Sequence, residues 1–275
     1  SIPRELSQID RVPVLVSWVL PDKISFPITI IPAIMSFLFF ISKYKLLPMK
    51  FNSLLIKGKL IKRYKRFFTD IKVNNKVVTA HCPNTGSMMG LLDKGNQVWI
   101  SKNNNPNRKL KYTLEMIKVK NKIVGVNTHR ANRIVEHALE KKLINEFKNI
   151  KNIKPEYKFS EGTRFDFLCD RKLIEVKNVT LFSGNTAEFP DAVTERGTKH
   201  LKNLVKSIKL NYQPFVLFLT QIQGISKFRI AESIDPEYKK NFLIAKKAGV
   251  KFLAYRCKFN SKEIKIEKKI DIIDE

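Results

Sequence analysis

The stretch Thr163–Val179 leaves this chain the least freedom of fold. Two β-forming runs, Thr163–Cys169 and Lys172–Val179, flank the dipeptide Asp170-Arg171. Side chains alternate across a strand, so Glu175 and Lys177 share a face while Val176 turns the other way, into a core. A two-residue loop at Asp170-Arg171 pairs Cys169 with Lys172 and Leu168 with Leu173, and a four-residue loop keeps the same register. Continued along the hairpin, that register sets Asp166 across from Glu175, with Phe165 and Phe167 on the face opposite to Asp166. Directly opposed residues have Cβ atoms about 4.5–5.5 Å apart, where like charges destabilise. Two facing carboxylates therefore require a cation. Lys177 is one candidate. A divalent metal is a better one, and carboxylate and water oxygens suit Mg²⁺ or Mn²⁺.

This arrangement matches the needs of phosphodiester hydrolysis. Asp166 and Glu175 are the candidate metal ligands, holding an ion that polarises a phosphate and activates water. Lys177 is the candidate for orienting that water or balancing the developing charge. Glu136 is the best further acid, because it borders the apolar stripe Ile134, Val135, Ala138, Leu139 and Leu143 of a helix. The plainer reading stands beside this one. An Asp followed at a distance by Glu-x-Lys arises by chance in a Lys-rich chain, and Glu175 and Lys177 then belong to a solvated strand face and Glu136 to an ordinary helix surface.

Charge points toward polyanions. The chain carries 52 Lys+Arg against 25 Asp+Glu, a net of +27, and such a field attracts nucleic acid or an anionic membrane. Most of the excess is Lys, which an AT-rich coding sequence also favours. Residues 1–48 contribute only +2. They contain an apolar run, Ile24 to Ile41, broken by Pro27 and Pro32, while Met49 opens a start-like Met-Lys-Phe-Asn. We read 1–48 as an extension from a mis-called start, with a membrane anchor as the alternative. No membrane is expected for residues 49–275. Three widely spaced cysteines, Cys82, Cys169 and Cys257, form no CxxC or zinc pattern and predict reduced thiols in a cytoplasmic protein.

Beyond residue 48 the pattern divides in two. Residues 49–126 hold short β-rich runs, Leu54–Ile61, Phe67–Val73, Lys76–His81, Gln97–Ser101, Tyr112–Val119 and Lys122–Val126, separated by turn signals such as Asn74-Asn75 and Pro83-Asn84-Thr85-Gly86. A small OB-like barrel that binds nucleic acid fits them. Residues 127–275 alternate helix and strand and predict a mixed-sheet α/β domain. Its helices are placed from an N-cap at Asn132 to about Phe147, from Thr194 to Lys209, and from Asp235 to Lys247 with a stop at Gly249. Further strands are placed at Pro214–Thr220 and Lys251–Lys258. The fold class expected is thus α+β followed by α/β.

Two basic clusters are candidate nucleic-acid contacts. Arg63, Lys65 and Arg66 interleave with Tyr64, Phe67 and Phe68, a pattern that serves either core packing or base stacking. Arg196, Lys199, His200 and Asn203 share one helix face, read as solvated or as placed beside the acidic site and contacting a DNA backbone. His81 and Cys82 point to opposite strand faces and make a poor catalytic dyad, and no Walker or Rossmann glycine loop is present.

Several long motifs occur in order: His81-Cys-Pro-Asn-Thr-Gly-Ser-Met88, Gly125-Val-Asn-Thr-His129, Arg164-Phe-Asp-Phe167, Glu175-Val-Lys-Asn-Val-Thr180, Phe189-Pro-Asp-Ala-Val-Thr-Glu-Arg-Gly197 and Lys199-His-Leu201. From about Met49 to the C-terminus the chain resembles the sugar fermentation stimulation protein A family. The resemblance implies an N-terminal OB-like barrel, a C-terminal PD-(D/E)xK nuclease-like domain, and DNA binding linked to regulation of maltose and other sugar metabolism. Carried over by position, the nuclease-type motif lands on Glu136, Asp166, Glu175 and Lys177. Binding is implied more firmly than cleavage, since a nuclease-like fold is not itself a nuclease.

Overall fold

The computed structural model describes residues 51, 53–260 and 262–274. The expectations for residues 1–48 lie outside the described residues. Among the described residues no helix is long and apolar enough to cross a membrane.

Alternating burial along the first strands curls them into a barrel. β1 (Ile56–Tyr64), β2 (Phe68–Val73), β3 (Lys76–His81), β4 (Gln97–Lys102) and β5 (Tyr112–Val119) pair in the ring β1-β2-β3-β5-β4-β1. All pairs are antiparallel except β3–β5, whose parallel contact closes the ring. Leu60, Ile71, Val98, Ile100 and Leu114 are buried within it. This is the five-stranded closed OB barrel expected. β6 (Lys122–Gly125) folds back on β5 as a hairpin.

The rest of the chain builds one mixed sheet. After α1 (His129–Glu140) come β7 (Ile153–Ser160), β8 (Thr163–Cys169), β9 (Lys172–Val179), β10 (Leu181–Ser183) and β11 (Thr186–Phe189). Then follow α2 (Glu195–Ile208), β12 (Gln213–Thr220), β13 (Lys227–Ile230), α3 (Pro236–Ala248), β14 (Lys251–Phe259) and β15 (Ile264–Ile272). The spatial order is β10-β11-β13-β15-β14-β12-β9-β8-β7. At its centre β12 runs parallel to both β9 and β14, and its unbroken apolar sequence suits a strand covered on both faces. Phe215, Leu217 and Leu219 pack toward Ile134, Val135 and Leu139 of α1. Val216 and Phe218 belong to the core that holds Leu201 and Leu204 of α2 and Tyr238 and Phe242 of α3. That second core is continuous with the barrel interior, because Leu60, Ile71 and Val98 belong to it as well. Backbone bonds reinforce the junction: Gly125 N–H donates to Gln221 O and Gln223 N–H to Ile123 O, both at 2.8 Å.

Helix ends follow from local chemistry. Thr194 caps α2 by accepting from Gly197 N–H, and Asp235 caps α3 by accepting from Tyr238 N–H. Gly249 ends α3 at φ 107, a left-handed position that suits glycine. The cap expected at Asn132 is corrected. Thr128 precedes α1, and Asn132 lies inside the helix, where its side chain makes a tertiary bond instead. α1 also stops at Glu140, and only a short turn at Asn145–Phe147 follows. Gly197 lets α2 approach α3: a Cβ there would sit 2.8 Å from Thr194 Cγ2 and 3.1 Å from Tyr238 Cε2. Gly197→Ala is expected to cost about 1–3 kcal/mol by overpacking, read as a lower denaturant midpoint with an unchanged slope.

Candidate functional site

The hairpin register is the one expected. Cys169 pairs with Lys172, Leu168 with Leu173 and Phe167 with Ile174, with Asp170 at φ 52 in the turn. The ladder then stops one step short of Asp166 and Glu175. The two strands separate there, and Asp166 Oδ2 accepts the Val176 N–H at 2.6 Å in place of a backbone carbonyl. Asn132 Nδ2 donates to Asp166 Oδ1 at 2.7 Å from α1. Strand alternation breaks at this point. Phe165 packs in the core on the α2 side and Phe167 in the core on the α1 side, so the expectation that they share a face is corrected. The carboxylate of Asp166 therefore enters from the gap between strands and not from the face that carries Glu175.

Glu175 is 4% exposed, and both of its partners use the same oxygen. Lys177 Nζ donates to Oε1 at 2.7 Å, and His200 Nδ1 from α2 lies 2.5 Å from Oε1. Burial alone raises a carboxyl pKa, but the charge of Lys177 and the His200 contact outweigh it and hold Glu175 below its usual value. Asp166 goes the other way. Burial, then the nearby charge of Glu175, push its pKa up to about 6 against the donated bonds of Val176 and Asn132. Buried Glu175 and half-buried Asp166, with oppositely displaced pKa values, thus lie beside one lysine, a combination found at functional sites. The Tyr238 hydroxyl is buried without a hydrogen-bond partner among the described residues, and burial and then the charge of Glu175 raise its pKa. Glu136 is half-buried one turn beyond Asn132 on the same face of α1. Among the described residues no three His, Cys, Asp or Glu side chains cluster closely enough to enclose a metal. Asp166 and Glu175 still fit a hard cation as a two-carboxylate, water-completed site: their donors are oxygens, and a positive ion would relieve the mutual charge that raises Asp166.

Residues 61–126 match the family model described as the SfsA N-terminal OB domain, and residues 129–263 match the sugar fermentation stimulation protein RE domain. A sugar fermentation stimulation protein homolog of Pelagibacter ubique is 61% identical over 231 residues, 82% of this chain and 100% of its own length. This chain belongs to the sugar fermentation stimulation protein family. A homolog from Pseudoalteromonas atlantica is 43% identical over 82% of this chain and 100% of its own. The fold matches that of a Pyrococcus furiosus SfsA solved in complex with Ca²⁺, with a TM-score of 0.75 at 24% identity, covering 82% of this chain and 99% of that one.

In this family member the two basic clusters separate into exposed and committed residues. Of the two readings of the α2 face, His200 takes the one beside the acidic site: it is buried against Glu175, while Arg196 and Lys199 remain exposed. Together with Lys158 and Arg164 they line a groove of about 600 Å³ that His200 also borders. Arg63 is corrected too. Its guanidinium donates to the carbonyls of Asn84, Gly86, Ser87 and Arg66 at 2.7–3.3 Å, so it pins the loop after β3 and is not presented to a ligand. Lys65 and Arg66 are exposed on the β1–β2 turn, beside Tyr64 at 36% and Phe67 at 43% exposure. Asn132 takes a part in the site that sequence reasoning did not assign, and the direct bond of His200 to Glu175 was not foreseen either. The available signal for Asn132 was its spacing four residues before Glu136.

Proposed function

We propose that this protein binds nucleic acid, DNA in preference to RNA, and carries out metal-dependent phosphodiester cleavage at Asp166, Glu175 and Lys177. The observation that carries this is the buried Glu175 carboxylate and the half-buried Asp166 carboxylate where β8 leaves β9, with Lys177 bonded to Glu175. Mg²⁺ or Mn²⁺ bound by Asp166 and Glu175 would supply Lewis acidity toward a phosphate oxygen. Asn132 and the Val176 N–H fix the Asp166 carboxylate, and His200 fixes that of Glu175. Lys177 is placed to orient a water or to balance charge developing on the phosphate. Arg196, Lys199, Lys158 and Arg164 supply positive charge for a polymer backbone beside the site. The Ca²⁺ in the Pyrococcus furiosus structure is in keeping with an oxygen-ligand ion in this fold.

A second reading is a non-cleaving DNA-binding regulator of sugar metabolism genes. The double engagement of Glu175 Oε1 by Lys177 and His200 favours it, because the Lys177 ammonium already balances that carboxylate without a metal. Incubating the full chain with plasmid, single-stranded DNA and RNA in Mg²⁺, Mn²⁺ or EDTA separates the two. Metal-dependent nicking of DNA, absent in EDTA, is expected, and intact substrates throughout would leave the regulator. Duplex affinity should also fall roughly 10³–10⁵-fold between about 50 and 200 mM salt, if 6–10 phosphates are contacted. A flat salt response in a binding titration would contradict backbone recognition.

A further inference from the structure

A pocket of about 390 Å³ opens where the rim of the barrel meets the start of α1. Its wall gathers positive groups. Arg108 Nη2 lies 3.5 Å from His81 Nδ1, and Lys102, His129 and Arg130 line the same space. The one acid in the wall, Glu115, is already saturated. Arg130 Nε and Nη2 donate to it at 2.6 and 2.9 Å, Ser101 Oγ at 2.7 Å and Asn127 Nδ2 at 2.9 Å. Burial, then the charges of Arg108 and His129, hold the His81 pKa below its usual value. The first turn of α1 has no acidic residue and no side-chain cap, since the Thr128 hydroxyl is turned to Pro83 O at 2.7 Å. The N–H groups of Thr128, Arg130 and Ala131 already donate to Pro83 O, Asn127 O and Thr128 O, so what favours an anion there is the dipole of α1.

Asn127 adds a different demand. It is 8% exposed, and its amide orientation is fixed because only Nδ2 can donate to the acceptor-only carboxylate of Glu115. Its Oδ1 is therefore turned away and has no hydrogen-bond partner among the described residues. A simple anion cannot serve it, because Oδ1 needs an N–H or O–H donor. Beside the pocket the half-exposed ring of Phe67 stacks on His81 with centroids 6.4 Å apart, which is a surface suited to a base.

We propose that this pocket binds one nucleotide with an unpaired base, its phosphate toward Arg108 and the start of α1 and a base N–H toward Asn127 Oδ1. The nucleotide is either free or the unpaired end of a strand. The second source rests on the nucleic-acid reading above, and α1 connects the two places, since Asn132, which holds Asp166, follows Arg130 by two residues.

The test is anisotropy titration of the full chain and of Arg108→Ala and Asn127→Ala with three probes: a labelled single-stranded oligonucleotide, the same sequence as blunt duplex, and a labelled mononucleotide. Both variants should weaken single-strand binding about tenfold and leave the duplex within about twofold. Arg108 is half-exposed and outside the Glu115 network, so its variant keeps the test alive if Asn127→Ala fails to fold. Mononucleotide binding lost in Arg108→Ala identifies the free ligand, and oligonucleotide binding alone identifies the strand. Equal loss on single strand and duplex, or no loss on either, overturns the proposal. Cleavage in Mn²⁺ is read separately: selective binding without cleavage would sink the nuclease reading and leave the pocket standing.

Discussion

Mn²⁺ is expected to raise the melting temperature of the wild-type protein, and Asp166→Asn to abolish that rise and any cleavage with it. A ligand present at about 100 times its dissociation constant stabilises by about 2.7 kcal/mol, roughly 5–10 °C for a protein of this size. The amide keeps the shape of Asp166 but removes the charge that pairs with Glu175 to attract an ion. It also leaves a donor facing a donor. Asp166 accepts from both Val176 N–H and Asn132 Nδ2, and Asn can accept through only one oxygen. Relief of repulsion from Glu175 is thus opposed by a lost buried bond worth about 1–3 kcal/mol, so no large gain in metal-free stability is expected. Lys177→Ala should separate binding from chemistry: the metal shift survives, since lysine is not a ligand, while cleavage is lost. Thermal melts of the three proteins with and without Mn²⁺, run beside plasmid nicking, read both effects. A full metal response in Asp166→Asn would show that the ligand is misassigned.

Arg130→Ala should bring the largest loss of stability, about 3–5 kcal/mol, because it strands the Glu115 carboxylate at 1% exposure. Asn127 and Ser101 remain, but neither carries charge. The variant also removes a guanidinium stacked 4.6 Å over the Phe51 ring. Glu115→Gln should be milder, since Arg130 is nearer solvent and the Asn127 amide can rotate to give its unpartnered Oδ1 a donor from Gln. Guanidinium chloride melts would show the order, and equal losses for the two variants would mean that the charge on Glu115 is not what Arg130 compensates.

Local chemistry made much of this fold legible. The Asp170-Arg171 turn and the apolar pattern on both sides fixed the β8–β9 register, and Thr194, Asp235 and Gly249 marked the ends of α2 and α3. The barrel was legible because its strands are short, β-branched and separated by turn residues. Other strands were hidden by their surroundings. β7 lies at one edge of the sheet and carries polar residues that suit solvent, while β10 at the other edge is only three residues long. β15 holds five charged residues in nine, so its alternation is masked. At the site, Glu175 and Lys177 could be paired by strand period, whereas Asn132 and His200 reach it from separate helices that no local pattern connects. Asp166 was placed in the right register but on the wrong approach. Its side chain takes over a ladder bond, and that exchange depends on how the strands separate and not on their sequence.

The apolar core that runs without interruption from the barrel into the α2 and α3 side of the sheet has a mechanical consequence. A boundary near residue 127 looks like a place for a hinge, yet the backbone bonds between 123–125 and 221–223 and the buried side chains around them join the two halves as one rigid body would be joined. The barrel rim and the carboxylates are thereby joined through packed core and not through a linker. A polymer bound at both, as proposed above, would meet them at a spacing set by that seam, and changing the spacing would require recutting the seam and not lengthening a tether.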